Sequence, residues 1–250
     1  MVDLRVGNCT DILDDLINEN KKVDLIITSP PYNLGMKQSM NKDVIVSYNK
    51  YTDDLEYKDY INWQVDILNK CYELLTDRGL LYYNHKERHY KNNYFNPINV
   101  VQSSKLKPLQ TIIWNRLSGM NFNIGRYVNS YEQIIVAYKN ENTYMRINKS
   151  AEKYFDVWNI QPTPNYMQVA TFPLELPERI IRGYNNYDDL VVLDPFMGSG
   201  TTGVACKKLG VDFIGIELDD LYFNNARKRI EETDESGYFI MHPHKQNKLW

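Results

Sequence analysis

Three cysteines, Cys9, Cys71 and Cys206, are all that 250 residues hold, and no two of them form a C-x-x-C pair. So thin a supply excludes a disulfide scaffold, argues against a zinc site and points to a reducing compartment. No apolar run approaches the roughly 20 residues that cross a bilayer, and Met1-Val2-Asp3-Leu4-Arg5 begins no signal-peptide hydrophobic region. These absences predict a soluble, cytoplasmic protein with no membrane partner and no metal. Repeats, linkers and low-complexity tracts are missing as well, which removes solenoids and disordered arrays. What remains is ordinary globular material, 43% hydrophobic and 24% charged. That is enough for one sizeable core and too little for two independent enzymatic domains, so a single domain over 1–250 is expected.

A strong net charge is lacking too: the formal value is -3. Its distribution is uneven, and residues 105–153 carry eight Lys/Arg against three Glu. Phosphate binding needs only a local positive face, because distant acids are screened beyond about 10 Å. Arg116, Arg126, Arg146, Lys149 and Lys153 in this stretch are therefore candidate phosphate contacts; a solvated surface would look the same.

Apolar periodicity reads as strands alternating with helices. Leu4 to Gly7 predicts a strand, and Thr10 to Glu19 a helix capped by Thr10. Val23 to Thr28 reads as a buried strand, and Tyr57 to Leu75 as a helix ended by Asp77-Arg78-Gly79 with strand Leu80 to Asn84 behind it. Leu109 to Trp114 and Gln133 to Tyr138 are two further apolar runs, the second an antiparallel partner. The last third predicts helix 176–184, strand 190–193, helix 201–209, strand 212–216 and helix 221–231. Such alternation implies a doubly wound, mostly parallel α/β sheet covered on both faces. Residues 140–170, polar and proline-bearing without a clear period, read as an insertion.

Three motifs fall at predicted strand ends. Asp194-Pro195-Phe196-Met197-Gly198-Ser199-Gly200-Thr201-Thr202 joins a strand to a helix, where glycines let the backbone approach a ligand and leave amides free at a helix start. Gly198, Gly200 and Gly203 match a dinucleotide fingerprint, but a carboxylate at Asp194 opposes a pyrophosphate and suits a cationic amino group. Glu217 ends the next strand, 23 residues on, placed to accept hydrogen bonds from both ribose hydroxyls. This pair fits S-adenosylmethionine better than a nicotinamide dinucleotide, which leaves a nicotinamide-dependent Rossmann oxidoreductase as the rival enzyme and a silent nucleic-acid-binding module as the rival of another class. The third motif, Ser29-Pro30-Pro31-Tyr32, follows the strand 23–28. Two prolines remove two amide donors and fix φ near -65°, so the carbonyls before them become rigid acceptors. With the Ser29 hydroxyl and the flat Tyr32 ring, they could hold the exocyclic amino group of a base and stack on it.

These three segments resemble motifs IV, I and II of the DNA amino-methyltransferases, in the order of their circularly permuted β group. Val6-Gly7-Asn8-Cys9 is similar to the element at the cofactor adenine, and Phe172-Pro173-Leu174-Glu175-Leu176-Pro177 to the segment before motif I; Asn8 stands where the family often has Asp, and Phe172 where it often has His. The resemblance implies a site-specific DNA methyltransferase. It would move a methyl group from S-adenosylmethionine to an exocyclic amino nitrogen of a base flipped from double-stranded DNA. It assigns catalysis to Ser29, Pro30, Pro31 and Tyr32, and cofactor binding to Asn8, Cys9, Thr28, Asp194, Pro195, Phe196, Gly198, Ser199, Gly200, Thr201 and Glu217. Ser-Pro-Pro-Tyr goes more often with cytosine N4 than with adenine N6, so cytosine N4 is the expected target and adenine N6 the alternative. Cytosine C5 chemistry needs a nucleophilic cysteine after a proline, and none is present. Residues 140–170 would then be a target-recognition insertion, with the polar loop 36–54 beside it. A cognate restriction endonuclease and a homodimer are the partners such a family suggests.

Overall fold

The computed structural model describes residues 1–33, 54–90, 93–117, 119, 127–140, 155–162, 172–184 and 189–233. Ten strands and six helices follow one another there: β1 (Val2–Val6), α1 (Cys9–Asn18), β2 (Val23–Thr28), α2 (Tyr57–Leu74), β3 (Leu75–His85), β4 (Arg88–Tyr90), β5 (Asn93–Phe95), α3 (Pro97–Gln102), β6 (Lys107–Asn115), β7 (Tyr131–Tyr138), β8 (Val157–Asn159), α4 (Glu175–Gly183), β9 (Val191–Asp194), α5 (Thr201–Leu209), β10 (Asp212–Glu217) and α6 (Asp220–Glu231). Eight strands form one sheet in the order β1-β10-β9-β2-β3-β7-β6-β8, and β4 pairs with β5 in a separate hairpin. Neighbours from β1 to β3 run parallel, while β7 is antiparallel to both β3 and β6. The last two strands of the parallel set thus lie between the first two.

Period-two alternation sends successive side chains to opposite faces, and both faces are covered. Leu25, Ile27, Val192 and Phe213 pack on one side with α4, α5 and α6; Ile26, Leu193, Ile214 and Ile216 pack on the other with α1 and α2. All these strand side chains are at most 2% exposed. Tight packing is visible at Gly203 on α5, where an added Cβ would sit 2.4 Å from Ile230 Cδ1 and 2.7 Å from Phe213 Cε1. Gly203→Ala should therefore push α5 off α6 and β10 and cost about 1–3 kcal/mol; urea unfolding reads the loss, and an unchanged midpoint would contradict this packing.

Several boundaries differ from the sequence expectation, each for a local reason. Asn8, not Thr10, caps α1: its backbone is extended and its side chain accepts from the Thr10 amide at 2.9 Å. Gly7, with φ 146°, turns the chain immediately before it. α2 stops at Leu74, before Asp77-Arg78-Gly79, and β3 begins at once. Strands β4, β5 and β8 hold three residues each, too few to show a period. β8 lies within residues 140–170 and adds an edge strand parallel to β6; Trp158 and Ile160 are buried, and the Trp114 indole donates to the Ile160 carbonyl at 2.8 Å. No helix among the described residues is long and apolar enough to cross a membrane.

Candidate active site

β1, β2, β9 and β10 all point their carboxyl ends to one edge of the sheet, the side on which open α/β sheets bind ligands. Two clusters gather there. The first is the β9–α5 turn with the end of β10. The Met197 amide donates to the Ile216 carbonyl at 2.9 Å, tying the turn to β10, and the Gly198 amide donates to Glu217 Oε2 at 3.0 Å. Glu217 Oε1 accepts from the Asp219 amide at 2.9 Å, while Asp219 itself caps α6. Glu217 is half-buried, and burial pushes its pKa up. Gly198 has φ 50°, and a Cβ there would meet nothing nearer than the Phe196 carbonyl at 3.9 Å, so this turn faces open space. Gly200, with φ 76°, starts α5 in the left-handed region that favours glycine.

Asp194 is 1% exposed. Oδ1 accepts from the Phe196 amide at 3.1 Å and Oδ2 from the Thr202 hydroxyl at 2.6 Å, with no cation among its partners in the described residues. Burial raises its pKa from an ordinary 3.8 to about 7. The folded protein therefore holds a proton that the unfolded chain has released at the same pH. The resulting stability is full below about pH 4 and is lost as pH rises to about 7. Asp194→Asn should remove this slope: the melting temperature of wild type minus variant, without ligand, should fall between pH 4 and 7. A flat difference would show that Asp194 ionises at its ordinary value.

Phe196 is half-buried against the Trp63 ring, at a centroid distance of 5.6 Å. Ser199 and Thr201 are buried, and their hydroxyls accept from the Arg229 guanidinium at 3.2 and 3.0 Å. Pro195 and Thr28 are buried. Asn8 spends its side-chain oxygen on its helix; the Cys9 thiol, pushed up to about 12 by burial, sits in the core.

The second cluster surrounds Ser29 to Tyr32 at the end of β2. The Ser29 and Tyr32 hydroxyl oxygens lie 2.9 Å apart, and the Tyr32 hydroxyl donates to Glu132 Oε2 at 2.9 Å. Asn84 Nδ2 reaches Glu132 Oε2 at 2.9 Å, Tyr32 Oη at 3.1 Å and Ser29 Oγ at 3.3 Å. Its Oδ1 is buried with no partner among the described residues. The Arg116 guanidinium donates to Glu132 Oε1 at 3.2 Å. Beneath the prolines the Tyr60 hydroxyl donates to the Pro31 carbonyl at 2.8 Å and lies 2.6 Å from His85 Nε2. Burial drops the His85 pKa to about 3, and its neutral ring covers one face of Tyr32 at 4.3 Å between centroids.

Glu132, Asn84, Tyr60 and His85 belong to the site although no sequence motif singles them out. Asn84 and His85 follow the apolar Leu80–Tyr83 run as a polar pair at a strand end, which is a usable signal; Glu132 arrives only because β7 pairs with β3. Arg116, expected at DNA, is part-buried with its guanidinium on Glu132. Arg126, Arg146, Lys149, Lys153 and the loop 36–53 lie outside the described residues.

Known proteins resemble this chain in sequence and fold. Type II methyltransferase M1.MboII of Moraxella bovis is 29% identical over 262 residues, covering 88% of this chain and 92% of its own length. Type II methyltransferase M.HinfI of Haemophilus influenzae is 27% identical over 253 residues, covering 90% and 67%. The solved M1.HpyAVI–SAM complex superimposes with a TM-score of 0.65 at 28% identity over 92% of this chain and 99% of that one. The cytosine-N4-specific PvuII DNA methyltransferase, 17% identical over 90% of this chain and 85% of its own, shares the fold at a TM-score of 0.70. Residues 23–228 match the DNA methylase family N6_N4_Mtase, so the chain belongs to that family of site-specific DNA amino-methyltransferases.

Proposed function

We propose that the protein methylates cytosine N4 in double-stranded DNA with S-adenosylmethionine as methyl donor. The observation that carries this reading is the placement of Ser29-Pro30-Pro31-Tyr32 and the Asp194–Thr202 turn at the carboxyl ends of the adjacent strands β2 and β9. The ligand chemistry fits the residues: the turn faces open space at Gly198, Glu217 keeps acceptor capacity for ribose hydroxyls, and the buried Asp194 has among the described residues no counter-charge of the kind an α-ammonium group supplies. Asp194, whose oxygens are engaged by Phe196 and Thr202, acts chiefly through its field. When bound, S-adenosylmethionine supplies an electrophilic methyl carbon on a sulfonium. Ser29 and the Pro30 carbonyl accept the two hydrogens of the base's amino group and aim its nitrogen, and the face of Tyr32 away from His85 stacks on the ring. The order β1-β10-β9-β2 supports a permuted chain, because the cofactor strands come last in sequence yet sit in the middle of the sheet.

Serine, rather than a carboxylate, before the two prolines favours cytosine N4. Digestion of treated DNA to nucleosides and mass spectrometry should show N4-methylcytosine; N6-methyladenine in its place would overturn the choice of base. The relatives' Type II character supports a cytoplasmic enzyme working beside a cognate restriction endonuclease, with a homodimer as a further partner. Residues 140–170 supply target recognition in this reading, with Arg126, Arg146, Lys149 and Lys153 as phosphate or base contacts. Neutralising Arg146, Lys149 and Lys153 together should flatten the dependence of log DNA affinity on log salt, by about 0.9 for each phosphate that is no longer neutralised. A filter-binding series over salt reads the slope, and an unaltered slope would remove the insertion from the DNA face.

A further inference from the structure

The direction of the protons in the second cluster follows from its acceptors. Glu132 is 7% exposed, and its carboxylate oxygens, paired with the Arg116 guanidinium, serve as acceptors: Oε1 from Arg116, Oε2 from Tyr32 and Asn84. The Tyr32 phenol has one proton, and the carboxylate takes it. Burial, with Glu132 beside it, pushes the phenol pKa well above its usual value, so that proton stays on the oxygen at neutral pH. Across the 2.9 Å contact between Ser29 and Tyr32, the donor must therefore be Ser29. With its proton turned inward, the Ser29 oxygen presents lone pairs outward. A hydroxyl whose rotor was unrestrained could equally well point a proton at an incoming N–H and repel it.

We propose that Glu132 is a positioning residue that acts through Tyr32 to make Ser29 an obligatory acceptor, and that Ser29–Tyr32–Glu132 is the relay by which the proton released in methyl transfer leaves the base. The inference rests on the reading that Ser29 receives the amino group. The amino nitrogen forms a bond to the methyl carbon while the carbon–sulfur bond breaks and its electron pair stays on sulfur. The nitrogen, now cationic, releases one proton to Ser29 Oγ; the Ser29 proton passes to Tyr32 Oη, and the Tyr32 proton to Glu132 Oε2. Two hydroxyls thus place at the base the basicity of a carboxylate that never touches it. Among the described residues, Arg116 just beyond β6 and Lys86 just beyond β3 are cations whose fields act on Glu132, and Asn84 holds all three oxygens in register.

Glu132→Gln tests this, because it keeps the shape and reverses the bond. Arg116 retains the amide oxygen, leaving the amide nitrogen to donate to Tyr32, which turns the Tyr32 and Ser29 protons toward the pocket. With tritiated S-adenosylmethionine and unmethylated DNA of mixed sequence, the single-turnover rate should fall about 100-fold, the scale of a lost general base. The KM for DNA and the affinity for S-adenosylhomocysteine should stay within twofold, a split that a merely structural role would not produce. Tyr32→Phe, which keeps the ring and breaks the relay, should lose as much, and the double variant no more than either single. A wild-type rate in either single variant, or losses that multiply in the double, overturns the relay. Wild-type protein that puts no label on DNA overturns the functional reading, and the relay with it.

Discussion

Ser29→Ala should lower methyl transfer to DNA by on the order of 10²–10³-fold, the cost of removing one aligned hydrogen-bonding group from a reacting centre. The hydroxyl lies at the end of β2, and its hydrogen bonds among the described residues run to Tyr32 and Asn84 rather than to the β9–α5 turn. Affinity for S-adenosylmethionine should therefore be unchanged, which calorimetry can read on the same preparation. Tyr32→Ala should do at least as much harm, since it removes both the stacking face and the bridge from Ser29 to Glu132. If either variant kept wild-type turnover, the base would have to be held elsewhere.

The opposite split is expected at the other cluster. Glu217→Ala removes an acceptor for the ribose and frees the Gly198 and Asp219 amides that it holds at 3.0 and 2.9 Å. A charge-assisted hydrogen bond is worth about 1.5–3 kcal/mol, so S-adenosylmethionine should bind roughly 10–150-fold more weakly. The rate at saturating cofactor should fall far less. Titration calorimetry separates the two, and an unchanged dissociation constant would move the cofactor away from β10.

The parts legible in the sequence are those whose signal is local. Thr201–Leu209 can be read to the residue because glycines in left-handed geometry, Gly200 and Gly210, bound it at both ends. Asp219 declares itself as a cap for α6, and Val23–Thr28 as a buried strand, because short-range chemistry or a continuous apolar run marks each. The three motif loops can be placed together from the sequence alone, since parallel strands must deliver their carboxyl ends to one edge. What stays hidden depends on distant pairing. Glu132 stands 100 residues from Tyr32 and meets it only because β7 returns antiparallel beside β3, with Gln133 opposite His85. Arg116 looks like one more cation in a basic stretch, and nothing in its neighbours along the chain tells that its partner is Glu132. Three-residue strands such as β8 carry no period at all, so an edge strand inside 140–170 leaves no trace in the sequence pattern.

If these two clusters work together as described, one chain puts methyl groups on an amino nitrogen of DNA at a defined sequence. Single-molecule sequencing of DNA from cells expressing wild-type protein or Ser29→Ala tests this directly. Amino-group methylation confined to one short sequence is expected in the wild-type sample, and none above background in the variant. Methylation scattered without sequence context, found at cytosine C5, or undiminished in Ser29→Ala would contradict it.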